Sequence, residues 1–191
     1  MRRPLLISLL CLGSSFALQG SVLHLTVHQM IHPISAEFIS RGLEQAVRNH
    51  DDAVIIELST PGGLLDSTRS IVEKIMTSPV PVIVYVGPAG SRAASAGFFL
   101  LEAADLAAMA PGTNTGAAHP VIPGTKMDDV MKEKVENDAA AFMRTIASGR
   151  GRNVAVAESA VRQSRSFTEQ EALQLKLIDL VAADVPALLK A

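Results

Sequence analysis

Apolar runs alternate with stretches of helical periodicity along most of the chain. Three runs rich in Val, Ile and Leu predict strands at residues 22–27, 53–58 and 80–86. Between them, apolar positions recur three or four residues apart, which predicts helices at about residues 34–48 and 64–76. The second strand is apolar apart from Glu57, as expected for a strand covered on both faces. This alternation predicts an α/β domain with largely parallel pairing.

The second half of the chain continues the alternation. Residues 95–104 are apolar enough to form a buried helix, and the longest helical pattern covers about residues 127–148. A further helix is predicted at residues 154–162, another is capped by Thr168, and short strands are predicted at residues 106–110 and 177–181. Residues 111–124 are rich in Pro and Gly and predict a loop. No repeat or linker divides the sequence, so one domain is expected.

Composition narrows the class of protein. The chain has 191 residues, of which 48% are hydrophobic and 4% aromatic. That length supports one sizeable core, packed mainly by aliphatic side chains. The net charge is −2 and the sequence contains no basic block. Without basic clusters or stacking aromatics, nucleic acid is a poor candidate partner.

The N-terminal residues resemble an export signal. Arg2 and Arg3 precede an apolar run at residues 4–12, and residues 15–17 form a small-x-small cleavage pattern. We therefore expect a signal peptide at residues 1–17 and a mature domain at residues 18–191, exported to the periplasm or another extracytoplasmic space. An uncleaved segment would instead attach the domain to the membrane. Cys11 is the only cysteine, so the mature domain would contain no disulfide.

Small residues surround Ser95 immediately after the third predicted strand. A tight turn between a strand and a helix can present a serine hydroxyl beside free backbone N–H groups. The second strand also ends in a small-residue turn, at residues 59–63, and the two turns predict two sides of one cleft. The N–H of Ala96 and one from the Gly62–Gly63 pair could bind an oxyanion there. The same small residues would equally permit close packing of a helix on the sheet.

A serine nucleophile needs a base, and spacing leaves several candidates open. Lys134 falls among apolar positions of the predicted helix, and an apolar setting favours the neutral amine. Asp138 lies four residues further on, however, and an ion pair with it would keep Lys134 charged. Lys132 and Lys126 are nearly as eligible.

A histidine base is the other possibility. His119 is the only histidine after Ser95, and Asp105 between them completes a Ser–Asp–His order. His119 follows the serine closely in a Pro- and Gly-rich segment, which is more typical of a surface loop residue. Arg150 and Arg152 are interpreted as charges that complement the C-terminal end of a helix.

The remaining histidines do not predict a metal centre. His24, His28 and His32 are spaced four apart, but the residues between them favour a strand and loop over a helix. The sequence also contains no HExxH pattern and no paired cysteines. The chain is therefore expected to use no metal and no cofactor.

Four segments together resemble the Clp-protease-like serine peptidases, and most closely the N-terminal protease domain of the NfeD family. The matching segments, in order, are residues 59–63 (STPGG), 90–97 (GSRAASAG), 109–117 (MAPGTNTGA) and 151–153 (GRN). The resemblance covers most of the chain from Val22 to Leu189. It implies a ClpP/crotonase-like fold, a stacked β-β-α superhelix.

The resemblance also implies a Ser–Lys dyad. Ser95 would be the nucleophile and Lys134 the base, with oxyanion N–H groups from Gly63 and Ala96 and a turn that requires Gly62. Because more distant Clp peptidases use a histidine, His119 is the alternative base. Family members cleave apolar segments of membrane-associated proteins, particularly stomatin-like ones, and they assemble, which implies a homodimer or larger.

Two other functions are compatible with such a cleft. A non-catalytic module could hold an apolar peptide in it without cleaving the peptide. A crotonase-like enzyme acting on acyl thioesters would share the fold and the oxyanion hole, but export would separate the chain from cytosolic coenzyme A.

Overall fold

Residues 20–121 and 128–191 are described by the computed structural model. The proposed signal segment lies outside these residues. The elements, in chain order, are β1 (Val22–Val27), α1 (Pro33–Asn49), β2 (Ala53–Leu58), α2 (Leu65–Met76), β3 (Val82–Val86), β4 (Arg92–Ala94), α3 (Ala96–Ala103), β5 (Leu106–Met109), β6 (Asn114–Gly116), α4 (Asp129–Gly149), α5 (Val154–Arg162), β7 (Ser166–Thr168), α6 (Glu169–Gln174), β8 (Leu180–Val181) and α7 (Val185–Leu188).

A five-stranded parallel sheet forms the centre of the domain. Its strand order is β1-β2-β3-β5-β8, and every neighbouring pair runs parallel. Parallel neighbours require a crossover between them, and α1, α2 and α3 lie in the first three crossovers. The α/β class and the parallel pairing predicted from the sequence are confirmed.

The two faces of this sheet are covered to different extents. Alternate strand residues, among them Leu25, Ile56 and Val84, pack against the helices and form the main core. The opposite face carries a smaller apolar cluster around Ile55 and Tyr85. Apart from Glu57, the apolar character of β2 therefore reflects burial on both faces, as its sequence predicts.

A second sheet of three short strands lies beside the first. Its order is β4-β6-β7, with β4 parallel and β7 antiparallel to β6. A bridge between Thr60 and Ala93 connects β4 to the end of β2. The prediction of a continuous loop at residues 111–124 is wrong for Asn114–Gly116, because three small or polar residues show no periodicity by themselves. Residues 122–127 are outside the described part.

Some element boundaries also differ from the prediction. The third strand begins at Val82, whose N–H donates to the Asp105 carboxylate at 2.9 Å. The last strand is only Leu180–Val181. The Thr168 cap is confirmed, since its side chain accepts from the Glu171 N–H in a capping box. Among the described helices, none combines the length and the apolar character needed to cross a membrane.

Candidate active site

Ser95 lies between β4 and α3 in a strained conformation. Its φ is +52°, a region that non-glycine residues rarely occupy. The backbone is held on both sides, because the Ser95 N–H donates to Gly116 O at 2.8 Å and the Ser95 carbonyl accepts from the Phe98 N–H at 3.0 Å. Its side chain makes no capping hydrogen bond to the helix. The hydroxyl is thus not used to cap α3, and Ser95 is half-buried.

The small residues near Ser95 also serve packing. A Cβ added to Gly97 would lie 2.6 Å from the Thr60 Cγ2 methyl group and 3.3 Å from the Ala93 Cβ. Ala93 is fully buried between these elements. The small residues thus allow α3 and β4 to pack closely at the end of β2, and the role of Ser95 as nucleophile stays a prediction.

The glycine turn at the end of β2 lies directly against Ser95. A Cβ added to Gly62 would be 2.9 Å from Ser95 Cβ and 3.3 Å from Ser95 Oγ. Gly62 also has φ +131°, which other residues rarely adopt. Two backbone hydrogen bonds join the turns, from the Thr60 N–H to Arg92 O at 2.7 Å and from the Ala94 N–H to Thr60 O at 3.1 Å. The structure thus brings together the two turns that the sequence singles out.

Two backbone N–H groups are available near this serine. Within the described parts of the chain, neither the Gly63 N–H nor the Ala96 N–H donates to a protein acceptor. Ala96 is the first residue of α3, where the helix dipole favours negative charge. Such N–H groups suit the binding of an oxyanion.

Lys134 lies on the exposed side of α4. Its neighbours Val130 and Met131 are 69% and 47% exposed, so the described residues of one chain do not enclose it in an apolar setting. The expected competition from Asp138 is absent, because the Asp138 carboxylate binds Arg69 Nη2 at 2.6 Å instead. Arg69 also stacks on Phe142 at 4.2 Å from the ring centroid. The carboxylate one turn further along the same helix face is therefore directed to α2.

The other candidate bases have different surroundings. Lys132 pairs with Asp129 at 3.3 Å, and Lys126 lies outside the described residues. His119 is half-buried, with Nδ1 at 3.0 Å from the Val161 carbonyl oxygen. Since a carbonyl oxygen only accepts, this contact requires a proton on Nδ1. The contact uses Nδ1 alone and does not involve Nε2.

Asp105 is held by other partners than His119. Its carboxylate accepts from the Val82 N–H and pairs with Arg150, which also donates to Ala103 O at 2.7 Å. The formal Ser–Asp–His order is therefore not assembled as a hydrogen-bonded triad. Arg150 connects the end of α4 to the end of α3. Its position at a helix end did not predict this contact.

Arg152, which follows α4 in the chain, is buried against the end of α3. It pairs with Asp179 at 2.8 Å and donates to Ala104 O at 3.3 Å. Glu102 on α3 is fully buried, and neither of its carboxylate oxygens has a hydrogen-bond partner in the described structure. Burial raises the pKa of Glu102 well above its usual range, more than the nearby Arg152 lowers it, and Asp179 raises it further. Arg150 and Arg152 thus connect separate elements of the fold.

The N-terminal histidines flank a carboxylate on the sheet. His24 Nε2 and His28 Nε2 lie 3.0 and 3.2 Å from the two oxygens of Glu57, while His32 caps α1. His24 belongs to β1, as its neighbours predict. Over residues 20–121 and 128–191, no group of three or more His, Cys, Asp or Glu side chains is arranged to hold a metal ion.

Comparison with known proteins identifies relatives of the whole described domain. Residues 21–188 match the family model described as "NfeD1b, N-terminal domain". The chain is 36% identical to the membrane-bound protease PH1510 of Pyrococcus horikoshii over 194 residues. This alignment covers 100% of the chain but 44% of the relative, so the chain spans less than half the length of that curated protein.

Two solved structures of a 1510-N membrane-bound stomatin-specific protease are also similar. A serine-to-alanine variant superposes with a TM-score of 0.83 at 34% identity, covering 90% of this chain and 84% of the other. A lysine-to-alanine variant in complex with a substrate peptide gives a TM-score of 0.85 at 34% identity, covering 91% and 80%. These matches confirm the ClpP-like α/β fold. The chain belongs to the NfeD1b N-terminal domain family, as its four motifs predict.

Proposed function

We propose that this domain is a serine endopeptidase with Ser95 as nucleophile and Lys134 as base. The observation that carries the proposal is the approach of Gly62 to Ser95, with a hypothetical Gly62 Cβ only 2.9 Å from Ser95 Cβ. That contact sets a strained serine beside the unbonded N–H groups of Gly63 and Ala96. A nucleophile next to two such donors is the arrangement that acyl transfer needs.

The reaction would proceed through an acyl-enzyme. The neutral Lys134 amine takes the hydroxyl proton as Ser95 Oγ attacks a peptide carbonyl. The oxyanion of the tetrahedral intermediate accepts from the Gly63 and Ala96 N–H groups. Lys134 then returns the proton to the leaving amine, and water hydrolyses the ester. No step requires a metal or cofactor.

Two findings support Lys134 as the base. Arg69 binds the Asp138 carboxylate, which lies one helix turn from Lys134, and so occupies a group that could otherwise pair with Lys134. In addition, a similar solved structure is a lysine-to-alanine variant that holds a substrate peptide. His119 remains the alternative base, because its contact with the Val161 carbonyl oxygen uses only Nδ1.

The substrate is proposed to be an apolar segment of a membrane-associated protein, with a stomatin-like protein as the first candidate. Exposed apolar side chains flank the glycine turn and its hydrogen-bond partner: Met30 precedes Ile31, which binds the turn, and Leu64 follows Gly63. Their exposed fractions are 57% and 56%. The name of the similar protease, specific for stomatin, supports the same class.

Assembly and location complete the proposal. A homodimer or larger assembly would cover Val130 and Met131 and thereby enclose Lys134 in an apolar environment. Residues 1–17 would export the domain at residues 18–191 to an extracytoplasmic space, and an uncleaved segment would attach it to the membrane. The similar protein PH1510 is described as membrane-bound.

Peptide-library cleavage tests the activity. The wild-type chain should cleave apolar peptides, while Ser95→Ala and Lys134→Ala should abolish cleavage and keep the wild-type melting temperature. Lys132→Ala is the matched control, because Lys132 lies on the same exposed helix and pairs with Asp129. An active Lys134→Ala variant would contradict the dyad, and loss of activity only in His119→Ala would assign the base to His119.

A non-catalytic binding module is the second candidate. It is favoured by the exposure of Lys134 in the single chain. Such a module would bind apolar peptides without turnover, and a fluorophosphonate probe would not label Ser95. Labelling that disappears in Ser95→Ala would exclude this function, allowing for the slow reaction of Ser–Lys sites with such probes.

A further inference from the structure

The peptide unit between Gly62 and Gly63 has a fixed orientation. The Gly62 carbonyl oxygen accepts two hydrogen bonds, from the Ile31 N–H at 2.9 Å and from the Thr60 hydroxyl at 3.1 Å. In a trans peptide the C=O and N–H of one unit point in opposite directions. The donors that hold the Gly62 oxygen therefore hold the Gly63 N–H facing away from Ile31 and Thr60.

Without such donors this unit would rotate easily. It is flanked by two glycines, which lack the Cβ that restricts backbone rotation in other residues. A rotation of the unit would exchange the positions of the Gly62 carbonyl and the Gly63 N–H. An oxyanion would then meet a carbonyl oxygen in place of an N–H donor, and the two would repel each other.

Thr60 is the side chain that opposes this rotation. It is 1% exposed, and its Oγ1 also accepts from the Gly62 N–H at 3.2 Å. One hydroxyl thus binds both polar groups of Gly62. The backbone of Thr60 pairs with β4, and its Cγ2 methyl group lies against Gly97 in α3. The same residue therefore contacts both turns of the candidate site.

We propose that Thr60 is a positioning residue whose hydroxyl keeps the Gly62–Gly63 peptide in the orientation that presents the Gly63 N–H to the oxyanion. This inference rests on the proposed peptidase function. Thr60 acts through the glycine backbone and needs no contact with the substrate. It therefore affects the stabilisation of the transition state more than the binding of the peptide.

Two substitutions in the full chain separate the hydroxyl from the methyl group. Thr60→Val keeps the shape and the methyl contact with Gly97 but removes the hydroxyl. Thr60→Ser keeps the hydroxyl and removes the methyl group. We expect Thr60→Val to lower kcat by about 10- to 100-fold, less than complete removal of a donor, with KM changed by less than about two-fold. Thr60→Ser should stay within about three-fold of wild-type kcat.

The kinetic outcomes decide between the hydroxyl and packing. A Thr60→Val kcat within about two-fold of wild type would overturn the proposal. An equal loss in Thr60→Ser and Thr60→Val would assign the effect to the methyl contact and would also overturn it. Thermal unfolding of each variant verifies that the assays compare folded proteins.

Amide hydrogen exchange tests the same hydrogen bond without any assay of activity. The Gly62 N–H should exchange faster in Thr60→Val than in wild type, and Thr60→Ser should retain the wild-type protection. Unchanged exchange in Thr60→Val would overturn the proposal. Absence of peptide cleavage by the wild type relative to Ser95→Ala would refute the peptidase function, and the exchange data would still decide whether the hydroxyl holds the turn. If Thr60→Val does not fold, Thr60→Ala compared with Thr60→Ser isolates the hydroxyl, because both of these variants lack the Cγ2 methyl group.

Discussion

The main parallel sheet and the site region, meaning residues 59–63 and 90–97 with β6, are built in different ways. The main sheet consists of apolar strands packed against helices, with Ile56 and Val84 fully buried. The site region consists of small and polar residues whose positions depend on individual hydrogen bonds, such as that from the Ser95 N–H to Gly116 O. Burial therefore stabilises the domain, whereas backbone hydrogen bonds and close contacts arrange its chemistry.

The largest expected effect is a loss of stability without a loss of activity, caused by a substitution in the main sheet. Ile56→Ala removes fully buried methylene and methyl groups from β2 and should lower the free energy of unfolding by about 2–5 kcal/mol. The kcat of the folded fraction should remain near wild type, because Ile56 does not touch the site. Urea unfolding and active-site titration measure the two effects, and a large loss of kcat per folded molecule would contradict the separation.

In the site region, Gly62→Ala should give the converse result. The new Cβ would meet Ser95 Cβ at 2.9 Å and would also require an unfavourable φ, so turnover should fall by about 10²–10³-fold. Gly112→Ala is the matched control, because Gly112 also has positive φ but open space around its Cβ position. Comparing peptide cleavage by the two variants separates the effect of the Gly62–Ser95 contact from the effect of a side chain at positive φ. Equal losses of activity would argue against a specific contact with Ser95.

Glu102 is an exception within the core, and it makes stability depend on pH. Because burial raises the pKa of Glu102 in the folded state, folding retains a proton that the unfolded chain releases. The free energy of unfolding should therefore fall as pH rises from the ordinary glutamate range towards the raised pKa, by at most about 1.4 kcal/mol per pH unit.

Glu102→Gln keeps the shape of this side chain and removes the titration. Its unfolding free energy should be nearly flat over the pH range in which that of the wild type falls. Chemical denaturation from pH 4 to pH 8 measures both curves. Parallel curves for the two proteins would show that Glu102 is not the group responsible.

The smallest expected effect concerns Arg69 on α2. In Arg69→Met, the freed Asp138 carboxylate can form an ion pair with Lys134 one turn away, which would compete with proton transfer from Ser95. Turnover should then fall by about two-fold, the size expected of an exposed pair. Peptide cleavage by the variant and by wild type at one pH would show the loss.

A second substitution identifies the cause of that loss. In the Arg69→Met, Asp138→Asn double variant the carboxylate is absent, so turnover should return to its wild-type value. A loss that persists in the double variant would instead reflect movement of α4, since Arg69 also stacks on Phe142.

The elements of the main sheet could be predicted from the sequence better than those of the site region. The bounds of β1, β2 and α5 agree with those predicted, because each has a strong apolar pattern or a clear cap. The second sheet was not predicted, since β4 and β6 have three residues each and gain stability from pairing across the chain. Local pattern carries no information about such pairing.

The candidate site shows the limit of spacing arguments. Ser95 and Gly62 could be selected as small-residue turns, but only the fold shows that they meet. Spacing suggested that Asp138 would pair with Lys134, and the partner is instead Arg69, which is distant in sequence. The assignment of Lys134 as base remains a prediction, as do the oxyanion roles of Gly63 and Ala96.

The sequence by itself determined the α/β class, the family and the two turns that bear the candidate chemistry, because periodicity and motifs are local properties. Only the tertiary structure decided the close approach of Gly62 to Ser95, the hydrogen bonds of Thr60 to the glycine turn and the partners of Asp138 and Arg152. The physical reason is that the Gly62–Ser95, Arg69–Asp138 and Arg152–Asp179 contacts join residues far apart along the chain. Their distances are set by how helices and strands pack, which no single segment specifies. The Thr60 hydrogen bonds are local, but they depend on a turn conformation that Ile31 and β4 hold in place.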